Sequence, residues 1–151
     1  IEKPLRQIEK FARAGTQLIC VHEETVDDLR AALEAIHDLG LKAGVALNPD
    51  TQVSALAPGL EVCDVVMLMS VFPGRAGQAF ILETHERLRE LVDMIQAVGR
   101  QILIEVDGGV TPPIARELWK LGAGAFVSGS YFFKHPGGYA GAVQEFRDAC
   151  Y

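Results

Sequence analysis

Ile102-Leu103-Ile104-Glu105-Val106-Asp107-Gly108-Gly109 is the stretch that decides the fold. Its apolar run is rich in branched residues, is too short for a typical helix, and ends on a carboxylate and two glycines. Thr111 followed by Pro112 then opens a segment of helical period, carried by Ile114, Leu118 and Leu121, and Gly122 stands where that helix should stop. A continuously apolar strand that leads into a helix is the repeating unit of a parallel sheet covered on both faces.

The same unit recurs outward along the chain. Short apolar runs at Gln17 to Val21, Ala43 to Leu47, Asp64 to Val71 and Ala125 to Ser128 predict four more buried parallel strands. Helical period appears at Leu5, Ile8, Phe11 and Ala12, at Leu29, Leu33 and Ile36, and at Leu88, Leu91, Val92 and Ile95. Thr25 with Asp28 three residues on resembles a capping box, and Gly15, Gly40 and Gly99 read as helix stops. Ala142, Val143, Phe146 and Ala149 predict a closing helix. Strand and helix are therefore expected to alternate throughout residues 1–151, read as a single domain with no linker. A doubly wound open sheet or a (β/α)8 barrel satisfies this pattern. Five strands suit the first; the second usually needs about 200 residues or more, so a barrel reading makes the chain a piece of one.

Composition narrows the function classes. The chain has 151 residues, 49% hydrophobic and 23% charged, with a net charge of -6 and a pI near 5.2. That balance argues against a nucleic-acid or anionic-membrane surface, which needs a positive field, so an anionic substrate must be held by local donors. Cys20, Cys63 and Cys150 are odd in number and lack C-x-x-C spacing, which fits a reduced, cytoplasmic setting. No apolar stretch reaches the roughly 18 residues that span a bilayer, and the start shows no signal-peptide pattern. The absence of an initiator Met predicts a chain that begins mid-protein.

In parallel α/β folds the chemistry sits at the C-terminal strand ends. Read in order these are His22-Glu23, Asn48-Pro49, the run Val71-Phe72-Pro73-Gly74-Arg75-Ala76-Gly77-Gln78, Asp107-Gly108-Gly109, and Gly129-Ser130. The last two are glycine-bearing turns on consecutive strands, able to offer backbone N–H groups to one point, as in a barrel phosphate site. Either alone could be only a tight turn; together they favour phosphate. Asp107 places a carboxylate beside that site, suited to ligating a metal or moving a proton. The alternative is an Asx turn or a cap, and Thr111 already supplies a candidate cap. Two glycines between Pro73 and Gln78 suit a lid, although Pro-Gly is also a common turn. Arg75 is read as a solvated side chain more readily than as a phosphate contact. Met67 and Met69 share one strand face, His22 suits a structural role, and His37, His85 and His135 are read as surface residues.

His22-x-Glu24, Gly44-Val45-Ala46-Leu47-Asn48-Pro49-x-Thr51, Asp64 through Val71, Pro73-Gly74-x-x-Gly77-Gln78-x-Phe80, Val106-Asp107-Gly108-Gly109 and Val127-Ser128-Gly129-Ser130 together resemble the ribulose-phosphate 3-epimerase family. The resemblance runs in order over essentially the whole chain and implies the fourth to eighth strands of a (β/α)8 barrel of the ribulose-phosphate-binding type. It implies inversion at C3 of a ketose phosphate, ribulose 5-phosphate to xylulose 5-phosphate, through an enediolate. Two Asp residues on opposite faces move the proton, assisted by a divalent metal such as Zn, Fe, Mn or Co. Asp107 corresponds to one of that pair and to a metal ligand. Gly74, Arg75, Ala76 and Gly77 correspond to the lid, Gly108 and Gly109 to the substrate-binding turn, and Gly129 and Ser130 to the remaining phosphate contact. The first three strands, with the second Asp and the His ligands, have no counterpart here, so these residues alone are expected to be inactive. A homo-oligomer is expected. Two departures are visible: Arg75 and Ala76 within the lid, and bulky Tyr131-Phe132-Phe133 after Gly-Ser. They leave a hexulose 6-phosphate open as substrate. A decarboxylase on a related barrel would carry an Asp-x-Lys-x-x-Asp strand motif, which is absent; a non-catalytic phosphate-binding fragment is the third reading.

Overall fold

A computed structural model describes residues 1–151. Five strands, β1 (Leu18–His22), β2 (Lys42–Leu47), β3 (Val65–Met69), β4 (Leu103–Asp107) and β5 (Ala125–Val127), form one sheet in the order β1-β2-β3-β4-β5, every pair parallel. A doubly wound sheet reverses its strand order at a switch point. The strictly sequential order here has no reversal, so the sheet is an arc of a barrel.

Helices α1 (Ile8–Arg13), α2 (Leu29–His37), α3 (Thr84–Val98), α4 (Pro112–Leu121), α5 (Gly129–Lys134) and α6 (Gly138–Cys150) complete the chain. The core is the layer between helices and sheet. Val21, Ala43, Val45, Leu47, Val66, Leu68, Ile104 and Val106 point into it from the strands. Leu33, Ile36, Leu88, Leu91 and Leu118 meet them from the helices, all without solvent exposure. Each such leucine or isoleucine contributes about 1.5–3 kcal/mol by leaving water. Alternate residues face the other, concave side. Cross-strand register sets His22, Ala46, Met67, Glu105 and Ala125 in one layer there, with Met69, Asp107 and Val127 in the next toward the C-terminal ends. Burial pushes Cys20 up to about 12 and Cys63 to about 11, where both remain thiols.

Three local expectations are corrected. Strand and helix do not alternate between β2 and β3, where two 3-10 turns at Val53–Leu56 and Leu60–Val62 make the crossover. Val53, Leu56 and Leu60, all buried, fill the space a helix would occupy. Thr25 is not the cap of α2, because it ends a separate 3-10 turn at Glu23–Thr25, the backbone is extended at Val26, and the helix begins at Leu29. Asp28 caps it, accepting from the Ala31 N–H at 3.0 Å, while the Thr25 hydroxyl donates to the His22 carbonyl at 2.8 Å. Thr111 holds the N-cap position of α4 with extended backbone, yet its side chain makes no cap bond. Pro112 and Pro113 remove the first two N–H groups it might have served. Gly99 and Gly122 do end α3 and α4 in the left-handed conformation.

Candidate active site

The site gathers at the C-terminal ends of β3, β4 and β5. Asp107 is the last residue of β4 and lies on its concave face, opposite Ile104 and Val106. Burial pushes its carboxyl above the ordinary aspartate range. Glu105, two residues earlier on the same face, is raised first by burial and then by the charge of Asp107.

The turn that follows is built by its neighbours. Gly108 has φ +121° and Gly109 φ +63°, backbone conformations that favour glycine. Space is as restrictive: a Cβ on Gly108 would come within 2.3 Å of Val71 Cγ2, and one on Gly109 within 2.7 Å of the Phe80 nitrogen. The end of the segment that follows Pro73-Gly74 is therefore seated directly on the turn. Ser70, fully buried just past β3, fastens the two together. Its N–H donates to the Asp107 carbonyl at 2.8 Å, and its hydroxyl lies 2.9 Å from that oxygen and 2.6 Å from the Gly108 carbonyl. The Ser70 carbonyl in turn accepts from the Ile81 N–H at 2.9 Å. Within the lid, Gln78 Nε2 donates to the carbonyls of Phe72 and Arg75, each at 2.7 Å. On the other side, the Ser128 hydroxyl donates to the Val110 carbonyl at 2.6 Å and joins the turn after β5 to the turn after β4.

These links enclose a cleft of about 560 Å³ lined by Gly77, Gln78, Gly109, Ser130, Lys134 and His135 among others. Three of the segments singled out in the sequence thus meet there, through Gly77, Gly109 and Ser130. Gly74, Arg75 and Ala76 lie exposed outside its lining, and the Arg75 guanidinium makes no hydrogen bond or ion pair, its carbonyl alone accepting from Gln78. Gly108 sits behind the cleft, its N–H donating to the Val127 carbonyl at 3.3 Å, so the first amide that the turn can offer is that of Gly109. Gly129 begins α5, a short helix absent from the expected elements.

Lys134 and Ser70 were not singled out in the sequence. Lys134 follows Tyr131-Phe132-Phe133 with no pattern to mark it, and Ser70 closes an apolar strand. The histidines also need correction. His85 and His135 are not free surface residues, with side chains only 17% and 9% exposed. His85 pairs with Glu117 at 3.0 Å and His135 with Glu145 at 3.1 Å, while the half-buried His37 meets Asp64 at 2.8 Å. His22 does take a structural place, 3.3 Å from Glu24. Glu24 accepts from the Asn48 N–H at 2.8 Å and the Thr51 hydroxyl at 2.5 Å. Arg87 completes this network by donating to the carbonyls of Asn48, Thr51 and Met69 at 2.7, 3.1 and 3.2 Å. The ends of β2 and β3 are thereby tied to α3.

A metal is a separate matter, because nowhere in the chain do three His, Cys, Asp or Glu side chains converge as a ligand set. Asp107 alone cannot hold one, and His22 is engaged by Glu24. No helix is long and apolar enough to cross a membrane.

Sequential parallel strands with a glycine-bearing loop and an acidic glycine turn at their C-terminal ends define the (β/α)8-barrel class, whose chemistry sits at that end. The sequence profile of the ribulose-phosphate 3 epimerase family matches residues 1–133, and the chain belongs to that family. It is 40% identical over 136 residues to ribulose-phosphate 3-epimerase of Chlamydia muridarum, which covers 89% of this chain and 60% of that one. The enzyme of the same name from Synechocystis is 40% identical over 151 residues, covering 99% and 65%. The chain thus spans about three-fifths of the length of these curated relatives. Among solved structures, a 3-hexulose-6-phosphate synthase superposes with a TM-score of 0.71, covering 99% of this chain and 70% of that one. At 19% identity that likeness concerns the fold.

Proposed function

We propose that the complete protein carrying this chain is a ribulose-phosphate 3-epimerase that interconverts D-ribulose 5-phosphate and D-xylulose 5-phosphate. The observation that carries this reading is the convergence of Gly77, Gly109 and Ser130 on one cleft, with Gly109 two residues beyond Asp107 at the end of β4. In it the phosphate of the ketose lies against the Gly109 amide and the turn at Gly129 and Ser130, with the lid from Gly74 to Gly77 above. C3 then stands before Asp107. The Asp107 carboxylate removes the C3 proton, the bonding pair passes into the enediolate, and a second acid on the opposite face delivers a proton to C3 and inverts it. A carboxyl already raised by burial is a stronger base than a solvated aspartate, in the direction the step requires.

The second acid is not among these 151 residues, and neither is a metal ligand set. The family resemblance implies a divalent metal, to which Asp107 would contribute one ligand and whose charge would stabilise the enediolate oxygen. The residues present do not make that site by themselves. This chain alone is therefore read as an incomplete half-site, without turnover. A cytoplasmic location and a homo-oligomeric assembly accompany the reading through the family.

The test is exchange of the C3 proton with solvent deuterium on ribulose 5-phosphate, using the full-length protein with added divalent metal beside an Asp107→Asn variant. Exchange and xylulose 5-phosphate formation, lost by a factor of about 10³ or more in the variant, are expected. Absence of exchange in the unaltered protein, with exchange on a hexulose 6-phosphate instead, would transfer the reading to that substrate.

A further inference from the structure

We propose that Ser70 is a positioning residue that aims the Gly109 amide into the phosphate cleft; this rests on the phosphate placement proposed above. Ser70 is fully buried, so its hydroxyl acts only through what it holds. What it holds is two successive peptide groups. The Asp107 carbonyl receives the Ser70 N–H at 2.8 Å, and the Ser70 hydroxyl proton is shared between that carbonyl and the Gly108 carbonyl, at 2.9 and 2.6 Å.

Peptide planarity turns this into a statement about the cleft. The Gly108 carbonyl and the Gly109 N–H belong to one rigid planar unit and point in opposite directions. Drawing the Gly108 oxygen inward to Ser70 therefore drives the Gly109 N–H outward, toward the cleft that Gly109 lines. The preceding unit is fixed in the same way, with the Asp107 carbonyl on Ser70 and the Gly108 N–H on Val127. Two glycines in sequence carry the greatest backbone freedom of any pair, so without such a tether this turn would sample orientations that point the amide elsewhere. The tether is needed where the glycines are imposed by close approach to Val71 and Phe80.

The same serine holds the lid. Its carbonyl accepts from Ile81, one residue beyond the Phe80 backbone that rests on Gly109. Ser70 thus sets the turn and the lid base against each other. Loss of its hydroxyl releases the turn toward phosphate while the β3–β4 ladder, made by backbone groups, persists.

The experiment is titration of the full-length protein with inorganic phosphate, followed by 1H–15N shifts of the Gly109 and Ser130 amides, for the unaltered protein, Ser70→Ala and Ser70→Cys. In the unaltered protein both amides shift on saturation. In Ser70→Ala the Gly109 shift is expected to be lost, the Ser130 shift retained, and phosphate bound about tenfold more weakly. Ser70→Cys matches the serine in size with a weaker donor, and is expected to fall between the two. Unmoved amides of β1 and β2 certify the fold in each spectrum, and the cysteine variant carries the comparison if the alanine variant does not fold. The KM for ribulose 5-phosphate should rise with phosphate affinity while kcat falls by less than threefold. Phosphate affinity and Gly109 shifts unchanged in both variants would overturn the role of Ser70 and leave the phosphate site standing. No shift of either amide in the unaltered protein would remove the site, and the role with it.

Discussion

At the scale of single residues, the site depends on contacts too short to admit a side chain. Gly109 combines φ +63° with a place where a Cβ would meet the Phe80 nitrogen at 2.7 Å and the Gln78 carbonyl at 3.0 Å, and those are backbone atoms that cannot swing aside. Gly109→Ala is expected to destabilise the full-length protein by about 1–3 kcal/mol and to weaken phosphate binding with it. Urea denaturation beside phosphate titration measures both. Glu24 contributes to the pH dependence of stability. Burial would raise its carboxyl, but the Thr51 hydroxyl, the Asn48 amide and His22 outweigh burial and hold it below the ordinary glutamate range. A carboxylate depressed by folding stabilises above its unfolded pKa, and that contribution disappears as pH falls through the folded value. Glu24→Gln should therefore lower the urea midpoint at pH 7 and differ little from the unaltered protein near pH 3. An equal difference at both would show that the network acts without its charge. Of these residues the sequence marks the glycines and Asp107, because strand ends and Gly-Gly pairs are visible in one dimension. Ser70 and Lys134 are not, since each gains its place from a neighbour that only the fold brings near.

At the scale of elements, the strands were legible because buried parallel strands are continuously apolar, and all five appear where branched residues cluster. The helices followed from the buried stripes on α2, α3 and α4. The failures are also physical. The β2–β3 crossover has apolar residues without helical period, so alternation was carried over where no pattern supported it. The α2 start was misplaced because Thr25 and Asp28 have the composition of a capping box, while Thr25 closes a 3-10 turn that extended backbone at Val26 and Asp28 separates from the helix. The two alternatives make different predictions for mutation. If Asp28 caps α2 through the Ala31 N–H, Asp28→Ala should cost about 1 kcal/mol, read as a lowered thermal midpoint and faster amide exchange in the first turn of α2. Little change on that substitution would return the cap to another group.

For the molecule as a whole, the arc has two edge strands and a concave face that its own helices do not cover. The concave side chains of β4 and β5 include Leu103 and Val127, 45% and 38% exposed, while Ile104 and Val106 on the opposite face are buried. Unpaired N–H and C=O groups along β1 and β5 lie beside this apolar surface, a combination that templates pairing with another chain. The 151-residue chain produced alone is expected to self-associate at micromolar concentration, in sedimentation or size-exclusion measurements. It should also show no C3 exchange on ribulose 5-phosphate with any added divalent metal, because in the half-site proposed above Asp107 serves one face of the substrate only. On the proposed reading the two outcomes are linked by one cause, since what covers the concave face also brings the opposing acid. A monodisperse monomer with metal-dependent turnover would mean that these residues close a site by themselves, and the half-site reading of Asp107 would have to be given up.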